Sequence, residues 1–269
     1  MTLFRQHAKT EAISTLIWAL ILGLVGFVTV YIWDVVMSSG SLANLEKVLQ
    51  NAQGALKGLV GSGGVSLASV EGWMTGYVLG GWVSLLYVIF TALFVSGMIT
   101  REMDRRTMEF VLSLPVTRAQ LVLSRWLVLA GSLTLLHLVH FLGVLGGMAA
   151  LGQAGHPGRY ALAICNALLL HLFLGTLMLL ASMFIDDYGM GTGATLGIGL
   201  GLTFFHMGTG DATGVLGSVR DLLPLSWYDV QPIVLQGQVP WGNLTALVIG
   251  TGLLLALSVW VFQRKQIAV

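Results

Sequence analysis

Charge is scarce in this sequence. Only 9% of its 269 residues are Asp, Glu, Lys or Arg, against 56% hydrophobic residues and a mean hydropathy of +0.86. No soluble domain of this size tolerates that ratio, so the chain reads as an integral membrane protein. Lysine is rarer still. Lys9, Lys47, Lys57 and Lys265 are the whole complement, and none stands in a G-x-x-x-x-G-K-[ST] loop, so the chain has no P-loop of its own to hold ATP. Cysteine occurs once, as Cys165 in an apolar run, which excludes a disulfide within the chain. No carboxylate lies at the centre of an apolar stretch: Asp34 sits at the end of one, and Asp186 and Asp187 lie between two others. An ion-coupled secondary carrier would lack its usual acidic group. H-E-x-x-H and G-x-S-x-G are missing too, which removes the familiar intramembrane hydrolases; the net charge of +1 says little about partners in a chain of this kind, and no nucleic-acid footprint appears.

What is present is six apolar stretches, near residues 13–36, 74–99, 120–151, 160–185, 189–209 and 243–263, each long enough to cross a bilayer as a helix. The first follows Arg5, His7 and Lys9 but is too long for a cleaved signal peptide. An even number of spans puts both termini on one side. Arg5, Lys9, Arg101, Arg105, Arg106, Arg118, Arg125, Arg264 and Lys265 fall on that side, and Lys47, Lys57, Arg159 and Arg220 on the other. The positive-inside rule makes the richer side cytoplasmic. The expected fold is an all-α integral membrane protein of six transmembrane helices with both termini cytoplasmic, in the cytoplasmic membrane.

Two outer segments, residues 38–72 and 210–242, complete the layout. The first contains an amphipathic run, LANLEKVLQNAQGALKGLV, and a Gly/Ser-rich linker, and leads through Trp73, at the expected interfacial level, into the second span. The second is cut into short pieces by Pro224, Pro232 and Pro240 and carries Trp227 and Tyr228. In the fifth span Gly189, Gly193, Gly197 and Gly201 repeat every four residues, predicting a helix face bare enough for close approach of a neighbour, or a helix that bends.

The most polar stretch is TREMDRRTMEFVLSLPVTRAQLVLSR, residues 100–125. Its first half mixes charged residues with apolar ones at near-helical spacing, predicting a short amphipathic helix over about 102–114 between spans 2 and 3. Pro115 stops it. Thr117 with Gln120 three residues later is a capping-box pattern that starts the third span. Deep in the apolar stretches lie His137 and His140, on one helical face, and His171 on the next span. These three could bind a metal or haem, as in a membrane anchor or redox subunit, relay a proton, or hydrogen-bond across helix interfaces.

Glu102, Arg106-Thr107, Glu109, Leu112-Ser113 and Pro115-Val116-Thr117-Arg118 resemble the E-x-x-x-[GR]-T-x-E-x-[LV]-L-S-x-P-[VL]-[ST]-R signature after the second span in permease subunits of type-2 ATP-binding-cassette (ABC) exporters. Arg106 stands where that family often has glycine. The resemblance implies one permease domain over 1–269 that pairs with a second permease, identical or related. It implies that the 102–114 helix is a coupling helix seated in a groove of a separate ATPase, which carries the ATP and Mg, so the chain itself needs no cofactor. Phe110, Val111 and Leu114 would then bury in the groove, while Arg101, Glu102, Arg105, Arg106 and Glu109 form rim pairs. The expected role is export of an amphipathic or hydrophobic molecule such as a drug, antibiotic, peptide or lipid.

Overall fold

The computed structural model describes residues 2–40, 69–113, 115–153, 155–210 and 212–266. The amphipathic run and linker expected within 41–68, and Leu114, lie outside the described residues. Among the described residues every regular element is helical, the arrangement that satisfies backbone polar groups without water. Helix α1 is Thr2–Ser38, α2 is Val70–Trp73, α3 Gly81–Ser96, α4 Thr100–Asp104, α5 Met108–Leu112, α6 Arg118–Ala150, α7 Pro157–Ser182, α8 Tyr188–Gly208, α9 Gly214–Leu222 and α10 Trp241–Arg264. Short wide or tight turns at Met74–Val78, Pro224–Trp227 and Pro232–Gln236 fill out the end opposite α4 and α5.

Among the described residues, five stretches are long and apolar enough to cross a membrane: Ala8–Ser38, Trp82–Asp104, Arg118–Ala150, Pro157–Ser182 and Trp241–Arg264. The stretch expected as the fifth span does form a helix, α8, 21 residues long, but its many glycines dilute its hydropathy and it does not join that group. The second expected span is not continuous. Its N-terminal part widens into a π-helical turn at Met74–Val78, and the helix restarts only at Gly81. Gly80 is required at the break, because a Cβ there would collide with the Gly76 carbonyl oxygen. The carbonyl of Leu79, released by the break, accepts from the Tyr228 hydroxyl at 2.8 Å.

The capping box forms as the sequence dictates. Thr117 Oγ1 accepts from the Gln120 N–H, and Gln120 Oε1 accepts from the Thr117 N–H, fixing the first turn of α6. Trp73 departs from its expected interfacial role: it is buried, and its indole N–H donates to the Thr29 carbonyl at 2.8 Å, joining α2 to α1.

Close helix packing falls elsewhere than the repeat in span five suggests. On α8, Gly193, Gly197 and Gly201 have no heavy atom within 4 Å of where a Cβ would sit. The face that packs is the other one, with Thr195 and Thr203 buried, Gly191 against Thr100 on α4, and Gly199 against Met178 of α7 and Val88 of α3. The tightest seam joins α1 and α6. There Gly143 abuts the Gly23 backbone, Gly147 lies against Val30, and Gly26 lies beneath the His140 ring. Without side chains at these points the two backbones meet directly, gaining dispersion contacts that lipid tails would otherwise supply. The core is completed by Tyr87, Phe90, Tyr160 and Phe262, all fully buried, and α7 is central, packing on α3, α6, α8 and α10.

Candidate functional site

The polar stretch forms a ledge at one end of the bundle, and its shape differs from one amphipathic helix over 102–114. Two short helices, α4 and α5, meet at a corner where Arg106 takes φ +54°, the left-handed region. An L-residue with a Cβ costs about 1–2 kcal/mol there, and glycine does not. The corner therefore accounts for the glycine frequent at this position in the resembling family: the departure at Arg106 adds backbone strain as well as charge. Arg106→Gly is expected to raise the thermal midpoint of the purified protein modestly, and Arg106→Val to lower it, since a β-branched residue tolerates positive φ worst. Equal midpoints for the two variants would count against a strained corner.

The ledge residues divide into two groups. Arg101, Glu102, Thr100 and Met108 hold it to the bundle. The Arg101 guanidinium donates to the Tyr188 hydroxyl of α8 at 3.1 Å, lies 5.1 Å from the centre of that ring, and reaches Glu11 of α1 at 3.9 Å. Glu102 forms an ion pair with Arg125 of α6, whose side chain is almost fully buried. Thr100 packs on Gly191, and Met108 is buried. Arg101 and Glu102, expected as rim pairs, tie the ledge to α1, α6 and α8. The second group faces outward. Asp104, Arg105 and Arg106 are exposed, Phe110 is 75% exposed, and Val111 is half-buried. Of Glu109 the structure describes only the backbone, within α5.

The same end carries further ties. Lys265 pairs with Asp186 at 2.6 Å and donates to the Met183 carbonyl at the C-terminus of α7. Arg118 donates to the carbonyls of Phe262, Gln263 and Lys265, satisfying the open end of α10. Asp187 caps α8, its carboxylate accepting from the Met190 N–H.

The three membrane-buried histidines do come together, around Tyr87. Its ring stacks on His137 at 4.1 Å and on His171 at 4.7 Å between centroids, and its hydroxyl meets His140 Nδ1 at 3.0 Å. Their hydrogen bonds have one consistent direction. The Leu133 carbonyl can only accept, so His137 Nδ1–H donates to it at 2.7 Å; His137 Nε2 then accepts from His171 Nδ1–H at 3.2 Å, and His171 Nε2 from the Ser84 hydroxyl at 3.1 Å. The lone pairs that would bind a metal at His137 and His171 are spent in this row. Among the described residues no group of three His, Cys, Asp or Glu side chains is placed to hold a metal ion. The row links α3, α6 and α7 by hydrogen bonds between helices.

Sequence reasoning missed Arg125, Tyr188 and Glu11 as ledge partners, and Tyr87 and Ser84 in the histidine row. Arg125 alone left a signal, as a lone guanidinium within the apolar run that opens α6. The others lie on helices whose neighbours the sequence does not name.

A search of curated proteins found no match for this chain. The family model described as "ABC-2 family transporter protein" matches residues 11–267. A multi-pass helical bundle without nucleotide-binding or catalytic motifs, bearing one charged ledge between its second and third long apolar stretches, agrees with that match over nearly the whole sequence, and the chain belongs to the ABC-2 family of transporter permeases.

Proposed function

We propose that this chain is the permease half of an exporter driven by a separate ATPase, and that the ledge at Thr100–Leu112 is the element that receives the ATPase's motion. Family membership gives a membrane transporter subunit that is not itself catalytic and implies partnership with an ATPase. The observation that carries the finer reading is the division within the ledge. Phe110, Arg105 and Arg106 are turned away from the bundle, while Arg101 and Glu102 are fastened to three long helices. A surface aromatic flanked by charges suits a partner's apolar groove, and the fastened residues give displacement of the ledge a route into α1, α6 and α8. Glu109 and Leu114 belong to the same surface in this reading.

The topology follows. With α8 counted as the fifth of six spans, both termini lie with the ledge on the cytoplasmic side, where nine of the thirteen Lys and Arg residues are collected. The whole chain, 1–269, acts as one domain and pairs with a second permease subunit. ATP and Mg sit on the partner, and the cargo is amphipathic or hydrophobic, moved outward through the cytoplasmic membrane.

Phe110→Asp tests this reading. A carboxylate at the centre of an apolar groove costs several kcal/mol, so co-purification of the ATPase is expected to fall at least tenfold while the permease stays in the membrane at its normal level. Undiminished co-purification would remove Phe110 from the interface and with it this assignment of the ledge.

A further inference from the structure

At the end of the bundle away from the ledge, the broken second span opens a cavity of about 250 Å³ between the Met74–Val78 turn, the start of α3, the end of α8 and residues 225–231. Irregular backbone lines the cavity on two sides, at the Leu79–Gly80 break and along the stretch Tyr228–Gln231. Its chemistry is one-sided. The Thr75 hydroxyl donates to the Glu71 carbonyl, the Thr203 hydroxyl to Gly199, and the Tyr228 phenol to Leu79, each at 2.8 Å. Burial pushes the Tyr228 phenol well above its usual pKa, so it stays a donor to that carbonyl. The Ser84 proton is committed to the histidine row. The Ser226 hydroxyl donates to the Arg220 carbonyl at 2.6 Å, so a neutral His206 gives its Nδ1–H to Ser226 and keeps a lone pair on Nε2.

With these protons spent, the hydroxyls present oxygen lone pairs, and Asp229 adds a carboxylate at the mouth. Among the described residues no lysine or arginine lines the cavity, and Arg220 is engaged by Asp221 and by the Thr209 and Gly210 carbonyls. A lining whose hydroxyls present acceptors, with one negative charge beside the Gln231 carboxamide, disfavours anions and favours a ligand that brings hydrogen-bond donors. We infer that this cavity is a binding site for an organic cation, its ammonium group received by Asp229 and the hydroxyl oxygens and its apolar body resting on Leu79, Leu170, Met207 and Leu225. An apolar cavity of about 150 Å³ accepts a benzene ring, so this one holds a ring with a short aminoalkyl arm. The assignment deepens the export reading by naming a cargo class, and it rests on that reading only for the direction of movement. Binding itself needs no ATPase.

Phenethylammonium is the probe, compared with its neutral analogue 2-phenylethanol and the anion 3-phenylpropionate, titrated at neutral pH into the purified full-length chain by isothermal calorimetry. Asp229→Asn keeps an oxygen that can accept from the Gln231 N–H, removes the charge and exchanges the other oxygen for an amide donor, and Gln231→Trp fills the mouth. Saturable binding that prefers the ammonium, weakens about fivefold or more in Asp229→Asn and disappears in Gln231→Trp is expected. The inference is overturned by indistinguishable titrations of the three probes, by the lack of saturation in the wild-type chain, or by ammonium binding that both variants leave unchanged. Because these titrations contain no ATPase, they can fail while the Phe110 experiment succeeds, and the reverse.

Discussion

Glu102→Ala is expected to destabilise the chain by about 2–3 kcal/mol and to uncouple ATP hydrolysis from transport, and a second change, Arg125→Met, to recover the stability without the coupling. The Arg125 side chain is only 4% exposed and that of Glu102 30%, so removing the carboxylate strands a guanidinium away from water. Loss of one partner of a buried pair costs about 3–5 kcal/mol, and the partial exposure of Glu102 puts this case at or below the lower edge. Methionine fills much of the arginine's volume without its charge, which is why the double variant regains its melting temperature. Coupling is a different quantity. The pair connects α4 to α6, and without it the ledge can shift while α6 stays in place. The measurements are the thermal midpoint of the permease and the ratio of transport to ATP hydrolysis in the reconstituted complex. If the double variant recovers both, the pair serves folding alone; if Glu102→Ala leaves the midpoint unchanged, the guanidinium has found water and the energetic account is wrong.

The second large effect belongs to the α1–α6 seam. Gly143→Val places branched carbons where the Gly23 carbonyl now sits, and that obstacle is helix backbone that cannot rotate aside. The helices must part along much of their length, and the expected outcome is a chain lost from the folded fraction, read as aggregation in size-exclusion chromatography. Gly131→Ala on the same helix is the control: no heavy atom lies within 4 Å of its Cβ position, so it should be neutral or gain up to about 1 kcal/mol from helix propensity. Gly197→Ala should likewise leave the monomer fold intact. A Gly143→Val protein that elutes and melts like the wild type would mean the seam is looser than its geometry states.

These glycines mark where the sequence stops being readable. A repeat of four shows that a bare face exists but not that anything lies against it: Gly193, Gly197 and Gly201 form the more regular pattern and face open space, whereas Gly23, Gly26, Gly143 and Gly147 sit in two distant helices whose adjacency only the fold creates. Local rules fared better. The Thr117–Gln120 box and the chain reversal at Asp186-Asp187 depend on neighbours within a few residues, and both form at those positions. The break at Leu79–Gly80 was hidden because the apolar run continues through it, and hydropathy does not register a change of backbone hydrogen bonding. On the ledge, composition located the charged residues but could not apportion them. Arg101 and Arg105 are equally basic in sequence; one is drawn inward by Tyr188 and Glu11 on other helices, and the other remains exposed.

The fastening of α10 bears on how the protein is made. This helix is the least buried of the five long apolar stretches, and at the ledge end it is retained by Arg118 grasping its last carbonyls and by Lys265 reaching Asp186 and Met183. Arg118, Asp186 and Met183 have all left the ribosome well before Lys265 does. A nascent chain can therefore close its earlier helices first and admit the final one as a late addition, secured by residues already waiting for it.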